Sequence, residues 1–366
     1  MKRLLCIVGQ MSSGGAETFL MKVFRKLDKS QYQMDFCVTA ECIGLYESEI
    51  LTLGGKVYRV PPKTKNVWKN FFGIQKLIKD ENYKYVLRVS QHSLSALELL
   101  ACRLGGARVL AYRSSNSKTG GDFKCEFLHS ALKWMPICFA NVKIAPSFEA
   151  ANFMFGKRNV RNGKVTIINN GLDLNVFRFS QKGRDAVRKE FNLKDKFVVG
   201  HVGRLTVQKN HEFLIKVFRR IKENRPNAIL LLVGTGELEN KIRDEVNNLE
   251  LSGSVIFAGM RTDIPDVLSA MDVFVFPSFY EGMPNTVIEA QSCSLPCVVS
   301  SSISKDVKIT DLVYFLSLDE SAERWCDEAL AITRTCRENY YASIKKAGYD
   351  IDSVVTKFTE TVFCDK

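Results

Sequence analysis

The chain has 366 residues, enough for two domains of ordinary size with large buried cores. With 46% hydrophobic and 25% charged residues and no low-complexity tract, the composition excludes a disordered or fibrous chain. The formal charge of +12 is uneven: residues 1–165 carry 26 Lys and Arg against 12 Asp and Glu, and residues 166–366 carry 26 against 28. Either the first half meets an anionic partner, such as a membrane surface or a phosphate-bearing acceptor, or it is a solvated basic surface. No nucleic-acid-binding motif accompanies the charge, so nucleic acid is not expected as a partner. The eleven cysteines are odd in number, scattered, and never spaced C-x-x-C. That favours reduced, buried thiols in the cytosol over a disulfide frame or a zinc site.

The first apolar run, Leu4–Val8, is too short for a secretory core, and Gly9-Gln10 ends it. It is read as a first β-strand, and no later stretch is long enough to span a bilayer. Gly14 and Gly15 follow it and open a helix expected over Ala16–Leu27. Bare glycines there let backbone approach a ligand, and the helix start offers free N–H groups to an anion. A plain turn has the same appearance, and the full dinucleotide fingerprint is missing. Strands are then expected at Gln33–Thr39, Lys84–Val89, Arg108–Tyr112 and Val142–Pro146. The stretch 63–80, with Trp68, Phe71 and Phe72 among lysines, reads as a basic amphipathic helix suited to an interface. Residues 123–139 are a second candidate. Packing on the domain core would give both the same pattern.

After residue 165 the alternation restarts, with strands at Val165–Ile168, Phe197–Val202, Ile229–Val233, Val255–Phe257, Val273–Phe276 and Cys297–Ser300. Helices are expected over His211–Glu223 and Leu238–Asn248. This βαβα order predicts parallel sheets in two doubly wound units, 1–165 and 166–341, with a helical tail over 342–366 able to pack on either. Ligands are then expected at strand carboxyl ends, in the cleft between the two units.

Four loops of the second half attract attention. Gly203-Arg204 and Lys209 follow a strand, and two cations there suit a diphosphate. Gly234 and Gly236 end the next strand, although most such pairs are turns. Arg261 lies in a loop able to frame a nucleobase, or in an ordinary capped-helix turn. In the fourth, Glu281 and Gly282 turn and Pro284 starts a helix. The amides of Gly282, Met283, Pro284's successors Asn285 and Thr286 would point at an anion. Glu289, one turn beyond Asn285, reads as a ribose ligand, and Glu281 as a contact to the transferred sugar.

Taken in order, GGAE (14–17), NNGLD (169–173), VGRL and QKN (202–210), VGTGEL (233–238) and the Glu281/Glu289 pair resemble the retaining glycosyltransferase family 4 over most of the chain. The region 282–300 is most similar to its bacterial exopolysaccharide and capsule branch. The resemblance implies a GT-B fold, two Rossmann-like domains facing a central cleft. It also implies transfer of a sugar from a nucleotide donor, usually UDP-linked, to a lipid-linked or oligosaccharide acceptor, with retention. By this likeness Arg204 and Lys209 hold the diphosphate, Glu289 the ribose, Glu281 the sugar, and the Gly14-Gly15 loop closes over the donor. No cofactor or metal is expected, and the only D-x-D, Asp350-Ile351-Asp352, is read as tail surface. The enzyme is expected in the cytoplasm, peripheral at the inner membrane face. One departure stands out: relatives carry a histidine after the strand Arg108–Tyr112, where this chain has Arg113. Arg113 can supply charge there, His92 is a weak substitute, and His201 is read as a core residue. A silent sugar-nucleotide-binding subunit and an epimerase on the same fold are the alternative functions.

Overall fold

Strand β1 (Lys2–Val8) is buried from Leu4 to Val8, as a parallel strand covered on both faces must be. It is an inner strand of a sheet with β2 (Tyr32–Val38), β3 (Val57–Arg59), β4 (Tyr85–Ser90), β5 (Val109–Ser114), β6 (Val142–Ala145) and β7 (Thr166–Ile167). The order is β3-β2-β1-β4-β5-β6-β7, all parallel. These are features of a computed structural model that describes residues 1–12, 14–115, 128–333 and 337–364.

Side chains alternate between the two faces. Leu4, Cys6 and Val8 pack with Phe19, Leu20 and Phe24 of the helix Gly15–Lys26. Leu5 and Ile7 pack with Ile74 and Ile78 of the helix Val67–Glu81 and with Leu99. The last helix, Ile351–Val362, joins the first of these faces: Phe358 meets Phe19 at 6.0 Å between ring centroids, and Phe363 meets Tyr32 at 4.6 Å. The first unit is therefore Met1–Gly171 with Gly348–Lys366, and the second is Leu172–Ala347.

The second unit holds β8 (Phe197–Val202), β9 (Ala228–Val233), β10 (Val255–Phe257), β11 (Val273–Phe276), β12 (Cys297–Ser300) and β13 (Val313–Leu316). Its order, β10-β9-β8-β11-β12-β13, is again wholly parallel. The direction of winding reverses between β8 and β11, as it does between β1 and β4, and such reversals open a crevice at the strand carboxyl ends.

Several expectations are corrected here. The run Val165–Ile168, assigned to the second unit, forms β7 beside β6 on the edge of the first sheet. The chain leaves that sheet only at the NNGLD glycine, where a Cβ on Gly171 would lie 2.8 Å from Ile351 of the last helix. Strands β3 and β13 were not foreseen: one has three residues, and both are sheet edges. Pro284 stands at the cap of the helix Asn285–Ser292 rather than inside it. Asp350 is a buried cap that accepts from the Ser353 amide at 3.2 Å, and only Asp352 is exposed, 3.7 Å from Lys26.

Among the described residues no helix is long and apolar enough to cross a membrane. None of the nine described cysteines is paired in a disulfide.

Candidate active site

The carboxyl end of β8 is built around backbone contact. The amide of Gly203 donates to Val233 O at 2.9 Å, and Leu205 N to Thr235 O at 3.0 Å. Gly234, at φ 128°, donates to Gly259 O at 2.8 Å. A Cβ on Gly234 would lie 2.1 Å from Gly203 O, and one on Gly236 2.3 Å from Leu205 O. Gly234, read from the sequence as a donor contact, and Gly236 beside it thus let two strand-end loops press together. The contact orients the segment that carries Arg204 and Lys209.

Lys209 ends a short 3₁₀ turn, Val207–Lys209, and Asn210 in the left-handed region then starts the helix His211–Asn224. The Lys209 ammonium lies 2.7 Å from the Glu281 carboxylate, and the two side chains are equally sheltered at 15% exposure. It also lies 4.5 Å above the Phe276 ring. The backbone fastens the same two loops: Phe279 N donates to Gln208 O at 2.9 Å, and Gln208 Nε2 to Tyr280 O at 2.8 Å. Glu281, foreseen as a sugar contact, is here the anchor of Lys209. Arg204 is different: its side chain is 75% exposed, with Glu237 at 3.7 Å. It is an arm available to a ligand, whereas Lys209 is fixed.

Beneath Lys209 lies an imidazole layer that sequence reasoning noted only in part. His201 is fully buried in β8, with Nδ1 2.9 Å from Val275 O, and its ring packs between Phe276, Phe274 and His211. A carbonyl only accepts, so Nδ1 carries the hydrogen and Nε2 is bare. Burial first, then His211 and Lys209, hold His201 well below the ordinary histidine range. Burial and Lys209 push His211 down to about 4. Both rings are neutral at pH 7, so they add no charge beside the ammonium.

After β11, Pro277 and a fully buried Ser278 lead into the Glu281 turn. At the start of the helix Asn285–Ser292 the first-turn amides precede any helical carbonyl four residues back, and Val287 N bonds Pro284 O at 3.1 Å. The hydroxyls of Ser278 and Thr286 are buried without a hydrogen-bond partner. A buried hydroxyl lacking a partner is costly, so this corner is polar enough to take an anion. Ser278 escaped the sequence reading because a serine after a strand carries no distinctive spacing. Gly282 and Met283 lie in the same turn, half-buried, and Glu289 lies in the second helical turn, half-buried, with its charge near the Cys293 thiol.

Other foreseen residues lie in different settings. Arg261 is held by Glu190 at 2.5 Å and Asp263 at 2.7 Å, so its fork is committed to carboxylates rather than open to a base. Arg113 is buried at the end of β5, where it bonds Asn170 Oδ1 at 2.8 Å and lies 3.8 Å above the Phe19 ring. Burial brings its pKa down to about 9. It ties β5 to the NNGLD segment. His92 is half-buried after β4, and its carbonyl accepts from the Tyr112 hydroxyl at 2.7 Å. Gly14 caps the first helix; a Cβ there would fall 2.3 Å from the Glu17 carboxylate folded over the helix start. Burial raises the Glu17 pKa. Ser13, between these glycines and β1, lies outside the described residues. No group of three His, Cys, Asp or Glu side chains among the described residues is placed to hold a metal ion.

Two doubly wound parallel units, with cations and a helix start gathered at the switch point of the second, define a GT-B glycosyltransferase. Residues 13–176 match the family described as Glycosyltransferase Family 4, and residues 183–312 match Glycosyl transferases group 1. A putative glycosyltransferase of Bacillus subtilis (strain 168), EpsF, is 32% identical over 357 residues, covering 95% of this chain and 93% of that one. The UDP-Gal:alpha-D-GlcNAc-diphosphoundecaprenol alpha-1,3-galactosyltransferase of Escherichia coli is 31% identical over 258 residues, 67% of this chain and 66% of its own. Among solved structures, Anabaena HepE in complex with UDP superposes with a TM-score of 0.80 at 21% identity, over 99% of this chain and 100% of that one. The chain belongs to glycosyltransferase family 4, and it is an enzyme of the hexosyltransferase class.

Proposed function

We propose that the enzyme transfers a sugar from a UDP-linked donor, with retention at the anomeric carbon, to a lipid-linked or oligosaccharide acceptor during assembly of a bacterial surface polysaccharide. The observation that carries this reading is the Lys209–Glu281 pair at the β8/β11 switch point, beside the start of the helix Asn285–Ser292. Relatives point the same way: the Escherichia coli enzyme is named for UDP-galactose and a diphosphoundecaprenol-linked acceptor, and HepE has been crystallised with UDP and with UDP-glucose.

The barrier in such a transfer lies in making the nucleoside diphosphate leave. Charge grows on its bridging oxygen as the bond to the anomeric carbon breaks. Lys209, held in place by Glu281, meets that charge with a fixed ammonium, Arg204 folds over the diphosphate from solvent, and the amides of Asn285 and Thr286 donate to it. Preorganised donors of this kind are the largest single source of rate enhancement in many enzymes. The acceptor hydroxyl then bonds to the anomeric carbon, and its proton leaves with the diphosphate. Glu289 accepts from ribose hydroxyls. The reaction needs no metal in this scheme, because the cations supply the charge. It takes place at the cytosolic membrane face, with the basic first unit toward the lipid.

A thermal-shift screen of UDP- and GDP-sugars tests the donor: at a hundredfold excess over Kd a true ligand adds about 2.7 kcal/mol of stability. UDP-sugars should raise the melting temperature, and Glu289→Ala should abolish the rise. The anomeric coupling of the transferred sugar by NMR then reports retention. Protection by no sugar nucleotide, or protection untouched by Glu289→Ala and Lys209→Ala, overturns the reading.

A further inference from the structure

We propose that the outer face of the helix Val67–Glu81 in the first unit seats on an anionic lipid surface. The inference deepens the function proposed above and rests on its lipid-linked acceptor.

The helix has two unlike sides. Asn70, Ile74 and Ile78 are buried toward the sheet, and Asn70 Nδ2 donates to Pro61 O at 2.8 Å. On the opposite side Trp68 and Phe72, one turn apart, are 69% and 57% exposed. Their rings stack at 6.1 Å between centroids and 24° between planes, and Phe71 meets Phe72 edge-on at 5.6 Å. A pair four residues apart stabilises a solvated helix only slightly, while leaving two large rings in water. Contiguous exposed apolar surface marks a contact.

Charge selects the kind of contact. At about 100° per residue, Lys69, Lys76 and Lys79 project within roughly one quadrant of the two rings. All three are exposed, and none takes a carboxylate partner among the described residues. The surrounding first half carries 26 Lys and Arg against 12 Asp and Glu. Aromatic rings flanked by lysines are stable at headgroup level, where the ring enters the boundary and the ammonium stays wet. A protein groove would be complementary to the rings alone. The lysine row and the regional charge fit a surface of phosphates.

Topology places this face where an acceptor must arrive. The helix follows β3, so Trp68 lies at the carboxyl ends of the strands, the ligand end of such a sheet. Other exposed apolar side chains gather at the same end: Ile43 and Leu45 in the loop after β2, and Phe148 at the start of the helix after β6. Of the second basic stretch foreseen from the sequence, residues 123–127 lie outside the described residues.

The test uses the full chain with vesicles of phosphatidylglycerol mixed into phosphatidylcholine, against phosphatidylcholine alone. Of the three tryptophans, Trp325 is fully buried and reports nothing of the surface, so in a Trp134→Phe background Trp68 is the responsive probe. Its emission should shift to the blue and be quenched by brominated acyl chains with anionic vesicles only, and high salt should reverse both. Trp68→Ala with Phe72→Ala, and separately Lys69→Glu with Lys76→Glu and Lys79→Glu, should each lower vesicle partitioning at least tenfold. Protection by UDP-sugars and transfer to a short-chain, detergent-soluble acceptor should stay within twofold of wild type. No partitioning at low salt overturns the proposal, as does partitioning that both variants retain. Loss of short-chain transfer in the aromatic variant also overturns it, since the face would then be an acceptor subsite. Trp68-dependent self-association without vesicle binding overturns it in favour of a second copy. If sugar-nucleotide protection is absent while vesicle binding behaves as described, the donor reading falls and the docking face stands.

Discussion

Lys209 and Glu281, 72 residues apart in the chain, meet at 2.7 Å and are equally sheltered from water. The contact locks the loop after β8 to the loop after β11, and it leaves a cation fixed at the switch point. Removing either partner leaves the other charge half-buried and alone, which costs about 2 kcal/mol. Lys209→Ala should lower kcat by about a hundredfold or more, with a lower melting temperature. Arg204→Ala should lower kcat while leaving the melting temperature unchanged, because its side chain is in solvent. Steady-state kinetics beside thermal melts separates the two effects; equal losses of stability would show that Arg204 is not the free arm described.

Gly234 is the tightest backbone contact in the site. With φ at 128° and a Cβ that would fall 2.1 Å from Gly203 O, alanine cannot be placed without moving a main chain. Gly234→Ala is expected to cost roughly 2–4 kcal/mol, read as a shift of the urea midpoint, and to weaken donor binding because Gly203 begins the cation loop. Gly253→Ala, with nothing within 4 Å, is the control and should be near neutral.

The buried histidines make stability depend on pH. Well above about 6.5 both His201 and His211 are neutral in the folded and unfolded chains, so they contribute no slope there. Below that the unfolded chain takes up protons that the folded one refuses, and stability falls as pH falls toward the folded value of about 4 for His211. By pH 5 the loss from His211 is about 2 kcal/mol. Melting temperatures between pH 7 and 5 should drop less steeply in His211→Gln than in the wild type. Parallel curves would show that the ring charges freely in the fold.

Phe358 ties the end of the chain to the first unit. It is fully buried against Phe19, in the same core face as Leu4 and Val8. Phe358→Ala should cost about 3–5 kcal/mol, seen as a lower urea midpoint, and Asp350→Ala about 1 kcal/mol through loss of the helix cap. Neither should alter the affinity of the second unit for a sugar nucleotide.

Periodicity was enough for most of the architecture. β8, β11 and β12 have the limits read from their apolar runs, because an inner parallel strand buries every residue and so reads as continuous. The edge strands Val57–Arg59 and Val313–Leu316 escaped; both are short and only part-buried, so neither stands out as a run of core residues. The site was legible as residue types: cations after one strand, two acids around a helix start. It was not legible as pairings. That Glu281 would hold Lys209, that Arg261 would be consumed by Glu190 and Asp263, and that Arg113 would turn inward to Asn170 depend on which loops meet.

The sequence by itself determined the alternation of strand and helix, the two parallel units and the family, because local hydrophobic runs and glycine spacings are properties of consecutive residues. Only the tertiary structure decided which charges are neutralised and which remain in solvent, where the last helix packs, and that Trp68 and Phe72 lie uncovered. Those outcomes follow from contacts between segments distant in the chain, and burial, unlike spacing, is a property of neighbours in space.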